Sequence, residues 1–246
     1  MKLAVISDVH GNALALTAVL HDIARSGVDL IVNLGDHLSG GLAPAETAKL
    51  LLTTPAIAVQ GNHDRALLGP PAAMGWADRF AHERLGPRHL AWLRALPFAA
   101  EVVRGVVAFH GTPTSDSAFL LETITPAGLR SATVAEAEAR LGGSQGRYAV
   151  YLCGHSHLQR SLRLSDGSLA INPGSAGWPA VAGTPAHPSP IEAGSPHARY
   201  AILEDGADGW AAEFRAVAYP WEDAAALARR HGFPALAHGL ATGRVG

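Results

Sequence analysis

The stretch KLAVISDVHGNALALTAVLHDIARSGVDLIVNLGDH, residues 2–37, changes its hydrophobic period twice. KLAVIS (2–7) is a short apolar run and reads as a buried strand. Residues 12–26 carry apolar positions at helical spacing, with Asn12 as a cap and Gly27 as a stop. VDLIVNL (28–34) is a second apolar run. Outward from there, APAETAKLLLT (43–53) reads as a helix and PAIAVQ (55–60) as a third strand. Strand, helix, strand, helix and strand in succession predict a parallel sheet covered by helices.

Further along, residues 76–95 read as one or two helices, with Trp76 and Trp92 expected in the core. FAAEVVR and VVAFH, separated by Gly105, read as antiparallel strands, 133–142 as a helix, and YAVYLC (148–153) as a buried strand. SLRL, GSLAIN, ARYAILE and WAAEFRAVAY follow as short strands with turns such as Asp166-Gly167 between them. They are expected to build most of a second sheet packed on the first. A helix over about 222–230 precedes a short C-terminal segment. The Pro- and Gly-rich residues 177–198 read as an irregular loop, either a surface excursion or a flap over a site.

The chain has 246 residues, 48% of them hydrophobic, enough for a full core, and no linker divides it, so one domain over 1–246 is expected. A formal charge of −2 marks no general nucleic-acid binder, and long nucleic acids are unlikely partners. The single cysteine, Cys153, allows no disulfide within the chain, reads as a buried small hydrophobe, and suits a reducing, cytoplasmic setting. No membrane association is expected: the apolar start is broken by Asp8 and His10 well short of a spanning helix.

The polar residues that follow the apolar runs carry the chemistry. KLAVIS leads into Asp8 and His10, LIVNL into Gly35-Asp36-His37, AIAVQ into Gly61-Asn62-His63-Asp64, VVAF into His110, and YAVYLC into Gly154-His155-Ser156-His157. Carboxyl ends of strands in open α/β sheets form the crevice where ligands bind. Residues i and i+2 of an extended chain point the same way, roughly 6–7 Å apart, so Asp8/His10 and His155/His157 could each set two ligands on one side. Taken alone, His155 and His157 read better as core or surface histidines than as metal ligands. Together, Asp8, His10, Asp36, Asn62, His110, His155 and His157 are too many ligands for one ion but suffice for two sharing a carboxylate. Two-metal phosphate-ester hydrolases hold their ions roughly 3.5–4 Å apart across such a bridge. Two divalent cations against two carboxylates leave the site cationic, which favours an anion such as phosphate.

The ordered blocks DVH, GD, GNHD, HG and GHSH resemble the calcineurin-like metallophosphoesterases, and INPGS (171–175) resembles their compact bacterial and archaeal branch. The resemblance covers residues 4 to about 176 and is specific because five blocks occur in order. It implies an α/β fold, a four-layer α/β/β/α sandwich of two mixed sheets flanked by helices. It implies that Asp8, His10, Asp36 and His157 hold one metal and that Asp36, Asn62, His110 and His155 hold the other. His63 would face substrate as the catalytic histidine, oriented by Asp64. The two cofactor ions would be divalent, with manganese favoured by the resemblance; nitrogen and oxygen donors also suit Fe, Zn, Co or Ni.

The resulting expectation is a hydrolase in which a bridging, metal-activated water attacks a small phosphate ester, with phosphodiesters favoured. His63 would donate a hydrogen bond to the phosphoryl group or protonate the leaving oxygen, and Asn12 would offer an amide to a phosphate oxygen. His37 reads as an exposed loop histidine. Arg65 and Arg160 read as solvated, with a phosphate contact as the alternative. Protein or nucleotide phosphatase activity is the second choice within the family. A non-catalytic binding module on this same scaffold is the alternative outside the enzyme class, disfavoured because His63 and every ligand position are filled.

Overall fold

The structure is a computed structural model describing residues 1–183 and 189–246. The first half runs β1 (Lys2–Ile6), α1 (Ala13–Ala24), β2 (Leu30–Asn33), α2 (Pro44–Thr53), β3 (Ile57–Ala58), α3 (Asn62–Leu67), α4 (Trp76–His82) and α5 (Pro87–Ala95). Then come β4 (Ala99–Val103), β5 (Val106–Phe109), the hairpin β6 (Glu122–Thr125) and β7 (Gly128–Ser131), α6 (Val134–Leu141) and β8 (Val150–Leu152). The chain continues through β9 (Gln159–Arg163), β10 (Leu169–Pro173), β11 (Ala180–Val181), β12 (Ile191–Glu192), β13 (Ala198–Gly206) and β14 (Gly209–Val217) to α7 (Trp221–Arg230) and α8 (Pro234–Thr242).

Two five-stranded mixed sheets result, ordered β14-β13-β1-β2-β3 and β4-β5-β8-β10-β9. β1, β2 and β3 are parallel, as the opening stretch predicts. Side-chain alternation explains the layers. Leu3 and Val5 of β1 meet Val106, Ala108, Val150 and Leu152 between the sheets. Ala4 and Ile6 face the other way, against Leu16 and Val19 of α1 and Ala225 of α7. On the far side, Val107 and Phe109 of β5 and Tyr151 of β8 pack on Ala137 and Leu141 of α6. The order is therefore helix, sheet, sheet, helix.

The late strands depart from expectation. β13 and β14 join the first sheet, with β13 antiparallel to β1 in the register Val5↔Ala201. β13 is buried on both faces: Tyr200 and Ile202 belong to the helix-side core, Ala201 and Leu203 to the core between the sheets. Local pattern marks such a strand but not its neighbour. The second sheet instead keeps β5, β8 and β10 parallel at its centre. Three further elements have no counterpart in the sequence reading: α3, the β6–β7 hairpin and α8. Part of the 177–198 segment is regular, since β11 and β12 pair; residues 184–188, with His187, lie outside the described residues. Trp76 is 47% exposed rather than core.

Candidate functional site

Among the described residues, five non-glycine residues have positive φ: Asp8, His10, Asp36, His155 and His157. All five are candidate ligands. Left-handed backbone costs of the order of 1–3 kcal/mol per residue, though Asp and His tolerate it better than most. The i, i+2 pairs therefore share a side through left-handed loops, not through the extended backbone that the spacing suggests.

Those loops are pinned to one another. Asp8 and His10 N–H groups donate to the Gly35 and Asp36 carbonyls, each at 3.0 Å. The Gly154 N–H donates to the His110 carbonyl at 2.7 Å. The NPGS segment is a clamp: Asn172 Nδ2 donates to the Gly154 carbonyl (2.6 Å) and Ser156 Oγ (3.0 Å), while Ser175 Oγ donates to the Asp8 carbonyl (2.8 Å). Two motif glycines mark where the loops touch. A Cβ on Gly61 would strike the Asp36 carboxylate, and one on Gly154 would strike Ser7 and Asp8.

Each carboxylate gives one oxygen to a backbone N–H and presents the other to the cleft. Asp8 Oδ2 accepts from His155 N at 3.2 Å and Asp36 Oδ1 from His63 N at 2.9 Å. The second oxygens, Asp8 Oδ1 and Asp36 Oδ2, both lie 3.8 Å from His10 Nε2. His110 Nε2 stands 3.9 and 3.3 Å from the same two oxygens. His157 Nε2 is 3.2 Å from Asp8 Oδ1. Asp8, His10 and His157 form one group with ligand atoms within 4.8 Å, and Asp36, His110 and His155 form another. Asn62 Oδ1 sits 3.0 Å from His110 Nε2 and adds an oxygen to the second.

Histidine tautomers test whether cations fit. Nδ1 of His10, His110 and His157 lies 2.7–2.9 Å from the carbonyls of Ser39, Leu34 and Trp178 respectively. A carbonyl only accepts, so the ring proton belongs on Nδ1, and neutral Nε2 carries a lone pair into the cleft. His10 and His157 then oppose lone pairs at 3.2 Å, and His110 opposes Asn62 Oδ1 at 3.0 Å. Acceptors facing acceptors in a buried site require a positive charge between them. Divalent cations fit this donor set. Without one, a proton takes the place: burial disfavours a charged His110, yet Asp36 and Asp8 outweigh it and raise its pKa to about 10. Burial likewise opposes the Asp8 and Asp36 charges, but the facing imidazoles hold both carboxyls well below the usual range. Burial and then His110 push His155 down to about 3.

Several expected roles are corrected. Asp64 does not touch the His63 ring. Its Oδ2 accepts from Asp36 N and Gly61 N (both 2.9 Å) and lies 2.7 Å from His37 Nδ1, while its Oδ1 accepts from His37 N at 3.0 Å. It ties the Asp36 loop to the start of α3. His37 is consequently buried, not exposed. The partner of His63 is Asp78, with Nδ1–Oδ1 at 2.7 Å, and Ser39 Oγ donates to the same oxygen at 2.6 Å. Burial pulls the His63 pKa down, but Asp36 and Asp78 raise it to about 9. Sequence reading missed Asp78 because an acid in the first turn of a helix is ordinary. Asn12 is buried and fully engaged: Oδ1 caps α1 through Ala15 N (3.0 Å), and Nδ2 donates to the Gly177 carbonyl (3.0 Å) and Tyr219 Oη (3.3 Å). It has no N–H left for substrate. Arg65 is held in a two-pronged pair with Asp116. Cys153 is buried, as expected.

Over the two groups lies a cleft of about 250 Å³, lined by His10, Asp36, Asn62, His63, His155 and His157, with Trp178, Val181 and Ile191 on its wall. The regular part of the 177–198 segment thus borders the site.

Comparison with known proteins places the chain in a family. A family model for the calcineurin-like phosphoesterase superfamily domain matches residues 1–188. A metallophosphoesterase of Sphaerobacter thermophilus is 28% identical and superposes with a TM-score of 0.75 over 99% of both chains. A hypothetical protein of Pyrococcus horikoshii OT3 shares the fold, with a TM-score of 0.74 over 98% of both chains at 19% identity. An uncharacterized protein of Methanocaldococcus jannaschii is 45% identical over 67 residues, a match spanning 27% of this chain and 28% of that one. The chain belongs to the calcineurin-like phosphoesterase superfamily, a family of hydrolases acting on phosphate esters.

Proposed function

We propose that this chain is a dinuclear metal-dependent phosphoesterase that prefers phosphodiesters. The observation that carries the reading is the opposition of lone pairs at His10/His157 and His110/Asn62, beside loops in which the non-glycine residues with left-handed backbone, among those described, are all candidate ligands. Asp8, His10 and His157 would hold one ion, and His110, His155 and Asn62 the other, with Asp36 shared between them. The ions, when bound, would acidify a water and absorb negative charge at phosphorus. Manganese is the favoured metal, with Fe, Zn, Co or Ni also suited to the donors.

The chain's own residues supply the rest. Asp78 and Ser39 hold the His63 ring, whose Nδ1 proton faces Asp78. The Asp78 carboxylate at 2.7 Å favours the protonated ring, so His63 can give a proton to the departing oxygen. Trp178, Val181 and Ile191 limit water around the ester. His63, Trp178, Val181 and Ala182 line both this cleft and a neighbouring cavity, and that added space beside the ligand groups suits a second organic arm, which favours a diester over a monoester. A small ester, not long nucleic acid, fits a chain with 19 basic against 21 acidic residues. No described helix is long and apolar enough to cross a membrane, and the buried free Cys153 suits a reducing cytoplasm.

The test is hydrolysis of bis(4-nitrophenyl) phosphate and 4-nitrophenyl phosphate after chelation, with and without added manganese. Expected is activity restored by manganese and faster on the diester. Equal activity in the chelated protein would contradict the metal reading. Monoester preference would favour the phosphatase alternative.

A further inference from the structure

Beside the catalytic cleft lies a larger cavity of about 670 Å³. His63, Trp178, Val181 and Ala182 line both spaces, so they join at the proton donor. The walls of the larger one are mostly carbon, with Trp76, Trp178 and Phe233 contributing rings. Trp76 lies 4.4 Å from Phe233 and 5.6 Å from Trp178, centroid to centroid. Trp178 in turn meets His10 edge-on at 4.8 Å. A continuous path of ring contacts therefore links the ligand cluster to the far wall. Trp76 nevertheless keeps 47% of its surface exposed. A tryptophan held by neighbours yet left open to a cavity gives up burial that folding normally secures, and it offers that face to a guest. Charged groups in the lining are few. Asp78 is matched by His63, and Arg244 makes no ion pair among the described residues.

We propose that this cavity receives the nucleobase of a nucleoside phosphate ester, stacked on the Trp76–Phe233 wall while the phosphoryl group lies over the two ligand groups. The assignment rests on the phosphoesterase reading above and names its substrate class. Flat, uncharged rings suit aromatic walls. A space of this size and apolar character is typical of small-molecule sites. Because the walls offer few fixed polar groups, the cavity selects for aromatic area and not for one base, so purines should bind better than pyrimidines. Arg244 suits a second anionic group on the same substrate.

The test compares adenosine 5′-monophosphate with ribose 5-phosphate as competitive inhibitors of bis(4-nitrophenyl) phosphate hydrolysis by the manganese-loaded full chain. The two probes share the ribose 5-phosphate unit and differ at C1′, where one carries adenine and the other a hydroxyl. Wild type is expected to favour the adenosine compound by at least about tenfold, the order of one base–aromatic stack. Trp76→Ala, which removes the wall, and Ala235→Leu, which fills the cavity from an exposed position of α8 and leaves the rings in place, are each expected to reduce that ratio to below about threefold. Equal inhibition by the two probes in wild type, or a ratio unchanged in both variants, overturns the assignment while leaving the phosphoesterase reading intact. Absence of any hydrolysis overturns both.

Discussion

The floor and the wall of the site are built on opposite plans. On the floor, strained backbone at Asp8, His10, Asp36, His155 and His157 is fixed by hydrogen bonds to the Gly35 carbonyl and the Asp64 carboxylate and from the Asn172 and Ser175 side chains, and ligand atoms face each other at 3.0–3.9 Å. The wall, from α4, the segment after Trp178 and the start of α8, presents rings and alanines with few polar anchors. The difference teaches which part sets which property. A floor with no slack fixes the reaction, whereas a wall of weak, non-directional contacts can set the identity of the ester without disturbing the chemistry.

The sharpest way to break this division is at Asp36. Asp36→Asn keeps the shape but removes the charge facing His10 and His110. It is expected to lower turnover by about a thousandfold or more and to release metal from both positions, as read by elemental analysis. Full occupancy in that variant would contradict a shared carboxylate. Next comes the seam between floor and wall. His63→Ala is expected to reduce kcat by about 10²–10⁴-fold with metal content unchanged. Asp78→Asn is expected to do so less and to lower the pH at which activity declines, because His63 loses the carboxylate that raises its pKa. An unchanged pH profile would remove Asp78 from its positioning role.

The smallest effect lies beneath the floor, at Glu122. Burial raises its carboxyl pKa to about 7, against the pull of Ser156, Arg160 and Arg140. The folded chain thus holds this proton more tightly than the unfolded one. The associated stability is present below about pH 4.5 and is lost as pH rises through about 7. At one pKa unit per about 1.4 kcal/mol, the loss is at most about 3.5 kcal/mol. Urea unfolding of Glu122→Gln at pH 5 and pH 8 is expected to show a smaller difference than wild type, and an equal difference would contradict the burial argument.

Sequence alone made the floor legible because chemistry there is local to strand ends: each apolar run points to the polar residues that follow it. Pairing of β1, β2 and β3 was legible for the same reason, through short helical connections. What escaped was non-local. Nothing near Asp78 signals that α4 will carry it to His63, fifteen positions earlier in the chain. Nothing near Asp64 says that it will bind the Asp36 loop in preference to its neighbour His63. β13 could have joined either sheet, since both of its faces are apolar. Asn12 reads as a cap and as a substrate contact; the cap takes its Oδ1, and the distant Gly177 carbonyl and Tyr219 hydroxyl take the amide N–H groups that substrate would have used. The start of α8 was marked by Pro234 at its first position, a signal passed over amid small residues.

The central claim is that the floor holds two ions, and metal stoichiometry tests it most directly. Chelated protein reloaded with manganese should bind two ions per chain, falling to one in His157→Ala, which disables only the group containing Asp8 and His10. A single ion per chain in the wild type, or two retained in both His157→Ala and Asp36→Asn, would contradict the account.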